Sequence, residues 1–259
     1  MNKNQKKYKI QIFGERCSGT NYLELLINNN FHDAQVKYQY GFKHLFKNDG
    51  LKKPIDEKFK GVVIFRNPFD WLRSLHKLPH HAPEMMDISF SQFIRKPWRT
   101  YMGPEWISAS EKERQSIMIP ERLKESFENV FALRKYKIQT FKSFSQETDD
   151  IMYIRYEDLI QNPNDILKQI GQKFGLSKRS EFINISTYKK TDKKFKKNRY
   201  PNISKQDLAY ILENLDWKQE NDLKYFKSDY KSSYVDHIYY LATLFISKLK
   251  RKWLNITSH

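Results

Sequence analysis

The stretch YKIQIFGERCSGTN, residues 8–21, decides the fold. Its first six residues carry Ile10, Ile12 and Phe13 and read as a buried strand. Gly14 to Thr20 reads as a loop, and Thr20 to Asn30 as a helix with leucines at helical spacing. A strand, a tight glycine-containing turn and a helix N-terminus aim backbone N–H groups and the helix dipole at one point, which suits an anion. An ordinary glycine-containing turn shares this local pattern. The loop is not a Walker A motif, because Thr20 and Asn21 stand where that motif requires lysine and then serine or threonine.

Outward from this loop, strand patterns alternate with helix patterns. QVKYQY (35–40) and the nearly all-apolar GVVIFR (61–66) read as second and third strands, and IMYIRY (151–156) as a fourth. Asn67-Pro68-Phe69-Asp70 caps and opens a helix bearing Trp71, Leu72, Leu75 and Leu78. Residues 79–120 read as irregular, residues 121–144 as one long helix and residues 162–174 as another. The alternation predicts a parallel sheet flanked by helices, with ligands at the C-terminal strand ends. No linker or repeat divides the chain, so one domain over 1–259 is expected.

Three motifs at those strand ends resemble the sulfotransferase superfamily. Arg16-Cys17-Ser18-Gly19-Thr20 is similar to that family's 5′-phosphosulfate loop. Arg66-Asn67-Pro68-Phe69-Asp70, with Ser74 eight residues after Arg66, is similar to its 3′-phosphate site. Tyr156-Glu157-Asp158-Leu159, followed by Asn162-Pro163, is similar to its Tyr-Glu-Asp-Leu segment. All three fall in the family's order. The resemblance covers roughly residues 8–175. It implies a P-loop-like α/β sulfotransferase fold and a sulfuryl donor, 3′-phosphoadenosine 5′-phosphosulfate (PAPS), leaving as the 3′,5′-bisphosphate. Direct in-line transfer to an acceptor hydroxyl is implied, with no metal and no covalent enzyme intermediate.

The physical chemistry of the residues agrees. The donor carries two separated phosphates and a sulfonate, which suits two anion sites at neighbouring strand ends. Arg66 offers a planar fork for a terminal phosphate, and Ser74 adds a neutral donor. The alternative for Arg66 is a strand-end ion pair with Asp70. At the first loop Arg16 is expected to neutralise leaving-group charge, while Cys17, Ser18, Gly19, Thr20 and Asn21 cradle the phosphate. Many family members have lysine or arginine directly before Ser-Gly-Thr. Here Cys17 takes that place, as a small filler, and Arg16 stands one residue earlier. A base near neutral pH is needed at the acceptor. Lys43-His44-Leu45 is one residue shorter than the family's Lys-Thr-His-Leu segment and makes His44 the expected base, with Lys43 beside the sulfonate. Glu15, His76, His80 and His81 are the rivals.

The formal net charge is +17, which admits nucleic acid, an anionic membrane surface or anionic small molecules as partners. The ordered motifs favour the last, so no nucleic acid is expected. A nucleotide-dependent kinase and a basic nucleic-acid-binding protein are the competing readings. Residues 189–199 hold seven basic residues in eleven and are read as the basic loop over the donor, an acceptor contact or a solvated charge run. The segment 234–254 reads as a C-terminal helix with a basic end, either packed or in peripheral contact with a membrane. The aromatics from Phe90 to Trp106, including Trp98 and Tyr101, suit stacking against a sugar, so a polysaccharide or lipid-linked glycan is the expected acceptor. The single cysteine excludes an intramolecular disulfide and a cysteine-rich zinc site. With no apolar leader in the sequence, the expected location is the cytoplasm, including the inner face of the membrane.

Overall fold

The computed structural model of the chain describes residues 7–45, 51–79, 81–101, 123–187 and 200–230. Strand β1 (Tyr8–Gly14) pairs in parallel with β2 (Ala34–Val36) on one side and β3 (Gly61–Phe65) on the other. With β6 (Ile151–Arg155) beside β3, this gives a four-stranded parallel sheet of order β2-β1-β3-β6. Alternation along each strand decides which face a residue covers. Ile10, Ile12, Val62, Ile64 and Ile154 pack with Leu23, Leu26 and Ile27 of α1 (Thr20–Asn30) and Ile166, Leu167 and Ile170 of α6 (Pro163–Phe174). On the other face Phe13 lies 4.8 Å from Phe144 and 6.2 Å from Phe141, ring centre to ring centre. Phe141 belongs to α4 (Val130–Ser143), and Phe144 to the 3-10 turn after it (Phe144–Gln146). Covered on both faces, the central strands carry apolar side chains almost continuously.

Strand β2 is shorter than the apolar pattern of 35–40 predicts. Beyond Val36 the Lys37 N–H still donates to the Ile10 carbonyl at 3.0 Å, and the chain then follows β1 through a side chain. The buried Gln11 amide donates to the Gly41 carbonyl (3.2 Å) and accepts from the Tyr40 N–H (3.1 Å). The Gly14 N–H then donates to the Lys43 carbonyl at 3.0 Å. His44 therefore sits in a turn beside the end of β1 rather than at the end of β2.

Helix α2 (Pro68–Lys77) starts as its motif demands. The Asn67 side chain accepts the Asp70 N–H at 2.9 Å, and Pro68 takes the first turn, where no N–H is needed. Trp71, Leu72 and Leu75 are buried, but Leu78 closes the helix and is 54% exposed, outside the expected face. Within the stretch read as irregular lie a 3-10 turn (Pro83–Met85), α3 (Phe90–Arg95), capped by Ser89 and Gln92, and β4 (Trp98–Tyr101). Helix 121–144 needs correction. Residues Leu123–Phe127 form β5, antiparallel to β4, and α4 begins only at Val130, where the Asn129 side chain accepts the N–H groups of Phe131 and Ala132. A strand partner distant in sequence overrides the local helix pattern.

Helix α5 (Tyr156–Gln161) follows β6 directly, so Tyr156 is the first helical residue rather than the last of the strand. The chain divides into two compact units, Met1–Pro201 and Asn202–His259. In the second, α7 (Lys205–Asn214) is capped by Ser204 and α8 (Trp217–Asp222) by Asp216. Among the described residues no helix is long and apolar enough to cross a membrane. The basic run 189–199 and the segment 234–254 lie outside the described residues, as do His80 and Trp106.

Candidate active site

The chain leaves β1 towards β2 and returns to β3 on the other side of β1, so the carboxyl ends of β1 and β3 flank the point where strand order reverses. Such a point leaves a crevice for ligands. The loop after β1 is shaped for close approach. The Ser18 hydroxyl, fully buried, donates to the Glu15 carbonyl at 2.6 Å and folds the loop back. Gly19 has φ +93°, and a Cβ there would stand 2.4 Å from the Tyr156 ring. Glycine is thus required on two counts, backbone and space. Helix α1 begins at this glycine with no capping side chain and no acidic residue in its first turn. An uncapped helix start of this kind presents N–H groups and the positive end of the dipole, which suit an anion.

The three motifs meet here. The Arg66 Nη1 donates to the Cys17 carbonyl at 3.0 Å, and the guanidinium lies over the Tyr156 ring at 4.7 Å. The Asn67 backbone N–H and side-chain Nδ2 both donate to Glu157 Oε1, at 3.0 and 2.7 Å. Arg66 makes no ion pair among the described residues. Asp70, its suggested partner, binds Arg73 at 2.6 Å instead. Arg66 Nε is buried with no hydrogen-bond partner among the described residues. The Ser74 hydroxyl adjoins the Cys17 thiol, so Ser74 and Arg66 both lie against that residue. Cys17 has φ +64°, and burial raises its thiol pKa, which keeps it protonated and suits a filler.

A pocket opens beside the loop, lined by Arg16, His44, Trp71, Trp98, Thr100 and Lys137, with Glu15, Leu75 and Leu133. Arg16 makes no ion pair among the described residues; its guanidinium lies 5.7 Å from the Phe42 ring centre. Burial lowers its pKa to about 10, so it stays charged at neutral pH. His44 Nδ1 lies 2.7 Å from the Gly14 carbonyl. A carbonyl only accepts, so Nδ1 carries the hydrogen and the neutral ring keeps its lone pair on Nε2. Burial above all, then the charge of Arg16, pushes the His44 pKa well below the usual imidazole range. Its hydrogen bond to Gly14 opposes this, while Lys43 and Lys137 add to it. The result is a neutral imidazole of fixed tautomer in a positively charged pocket.

Lys43 reaches the start of α1. Its ammonium donates to the Asn21 side chain and lies 5.6 Å from the Tyr38 ring centre, and it does not line the pocket. Two buried cations of α4 stand close by. Arg134, 1% exposed, pairs with Glu15 at 2.7 Å. The Lys137 ammonium donates to the carbonyls of His44 (2.8 Å) and Leu45. Removing one member of a buried pair such as Arg134–Glu15 costs about 3–5 kcal/mol, because the other charge stays buried. Sequence reading missed both cations. The available signal was their spacing, since Arg134 and Lys137 share the helix face of Ile138 and Phe141.

Two of the rival bases, Glu15 and His76, have other side-chain partners. The Glu15 carboxylate is bound to Arg134, and a His76 ring nitrogen lies 2.7 Å from the Ile88 carbonyl, the ring packed against Phe90 and Phe93. The His81 carbonyl accepts the Tyr101 N–H. Of the aromatic stretch, Trp98, Tyr101 and Phe93 are all buried in the core, Trp98 also lining the pocket. The Trp98 indole donates to Thr100 and the Trp71 indole to the Arg16 carbonyl (3.0 Å). Among the described residues no group of three or more His, Cys, Asp or Glu could hold a metal ion. No protein-family model matches the chain, and no curated protein is similar to it at a significant level.

Proposed function

We propose that this protein transfers a sulfuryl group from PAPS to an acceptor hydroxyl. One observation carries the reading: two guanidinium groups without a carboxylate partner among the described residues, Arg16 and Arg66, flank a glycine loop at a helix N-terminus, beside a neutral histidine. The donor set fits a ligand with two anionic ends. The orphaned Arg66 Nε and the nearby Ser74 suit a terminal phosphate, and Arg16 with the N–H groups of α1 suits the 5′ end.

The donor supplies an electrophilic sulfur and a good leaving group. Arg16 stabilises negative charge as it grows on the leaving oxygen. Arg66 and Ser74 hold the far phosphate, so binding energy there fixes the reacting end. His44 Nε2 takes the acceptor's proton, and the Gly14 carbonyl steadies the imidazolium that forms. Trp71 and Trp98 line the pocket beside His44 but are 1% and 2% exposed, so they pack the pocket rather than offer a stacking face to the acceptor, read from the sequence as a glycan.

Calorimetric titration with 3′,5′-adenosine bisphosphate, with 5′-AMP and ATP alongside, tests the reading. Magnesium-independent binding that weakens about 100-fold in Arg66→Ala is expected, a loss of roughly 3 kcal/mol for a charge-assisted fork. No bisphosphate binding, or a preference for ATP with magnesium, would sink it in favour of a kinase.

A further inference from the structure

We infer that Arg134 is a positioning residue that sets the spacing between the two anion-binding loops, so that one ligand with two phosphates engages both at once. The inference rests on the donor reading above for its ligand. Its geometry is independent of that reading.

Among the described residues Arg134 reaches both loops and Trp71. Nη1 donates to Glu15 Oε2 at 2.7 Å, in the loop after β1. Nη2 donates to the Arg66 carbonyl at 2.9 Å, at the end of β3. The guanidinium face lies 4.9 Å from the Trp71 ring centre, and that indole returns to the Arg16 carbonyl at 3.0 Å. One rigid planar group thus grips the first loop directly and through Trp71, and the second loop at the residue whose side chain is the expected phosphate fork. A buried ion pair seldom stabilises more than well-packed apolar residues of the same volume. Its value here is geometric, since a guanidinium presents separate nitrogens at a fixed spacing. Lysine at this position keeps the charge but offers one nitrogen, and cannot hold both loops at that spacing.

The test compares wild type with Arg134→Lys and with the neutral pair Glu15→Gln/Arg134→Met, which leaves no lone buried charge. The probes are 3′,5′-adenosine bisphosphate, 5′-AMP and 3′-AMP. A ligand held at two points loses its linkage advantage when their spacing is no longer fixed. In both variants the bisphosphate should weaken by about 10- to 100-fold, while each monophosphate shifts by less than about threefold. Equal weakening of all three ligands would indicate a merely structural role and overturn the inference, as would no change at all. Should the wild type bind no bisphosphate, the donor reading fails and amide hydrogen exchange on the ligand-free protein decides this one. Arg134→Lys must then speed exchange in residues 15–19 and 66–67 together, with strand β1 unchanged. Uniform loosening, or none, overturns it.

Discussion

Gly19→Ala tests the loop geometry most directly. Two costs arise, and a second glycine separates them. Gly19 has φ +93°, and an added Cβ would lie 2.4 and 2.7 Å from two carbons of the Tyr156 ring. Gly175, just past α6, has φ +63° and nothing within 4 Å of its Cβ position. Gly175→Ala therefore reports the left-handed backbone alone, about 1–2 kcal/mol. Gly19→Ala adds an overlap that only displacement of Tyr156 can relieve, a further 1–3 kcal/mol or so. At roughly 2–4 °C per kcal/mol for a domain of this size, the melting temperature should fall by about 2–8 °C for Gly175→Ala and about 4–20 °C for Gly19→Ala. Scanning calorimetry of both variants and the wild type in one buffer gives the comparison. Tyr156 lies under the Arg66 guanidinium, so Gly19→Ala should also weaken the bisphosphate more than tenfold, with Gly175→Ala unchanged. Equal destabilisation by the two substitutions would refute the claim that Tyr156 closes the space at Gly19.

His44 makes stability pH-dependent. Its folded pKa lies below its unfolded value, so between the two the unfolded chain binds a proton that the folded one lacks. Stability is held above pH ~6.5 and lost as pH falls, by about 1.4 kcal/mol per unit. Urea unfolding across pH should show that slope reduced in His44→Asn; identical slopes would contradict the buried neutral imidazole. His44→Asn should also leave bisphosphate affinity within about threefold while turnover drops 100-fold or more, the scale of a lost base. Cys17→Ala should retain turnover within about tenfold, because direct transfer uses no thiol, and a variant with no detectable turnover would point to a nucleophile.

The first loop was legible because its information is local. A strand, two glycines and a helix start lie within residues 8–30, and each follows from periodicity and backbone freedom. The Asn67 cap and Pro68 start of α2 were legible for the same reason. The error over residues 121–144 also has a local cause. Asn129 is a good capping residue, but the strand before it is defined by pairing with Trp98–Tyr101, which no local window contains.

The sequence by itself determined the parallel α/β class, the glycine loop between β1 and α1, and the order of Arg16, Arg66 and Tyr156 along the chain. Tertiary structure decided how they combine. Parallel pairing in the order β2-β1-β3-β6 carries three strand ends to one edge, so Arg66 meets both the Cys17 carbonyl and Tyr156. Gln11 draws the chain after β2 along β1 and sets His44 against Gly14. Arg134 and Lys137 look in sequence like misplaced charges on an apolar helix face, because their partners lie far away in the chain. Burying a cation is tolerable only where such partners wait, and the fold alone brings Glu15, Arg66 and His44 to them.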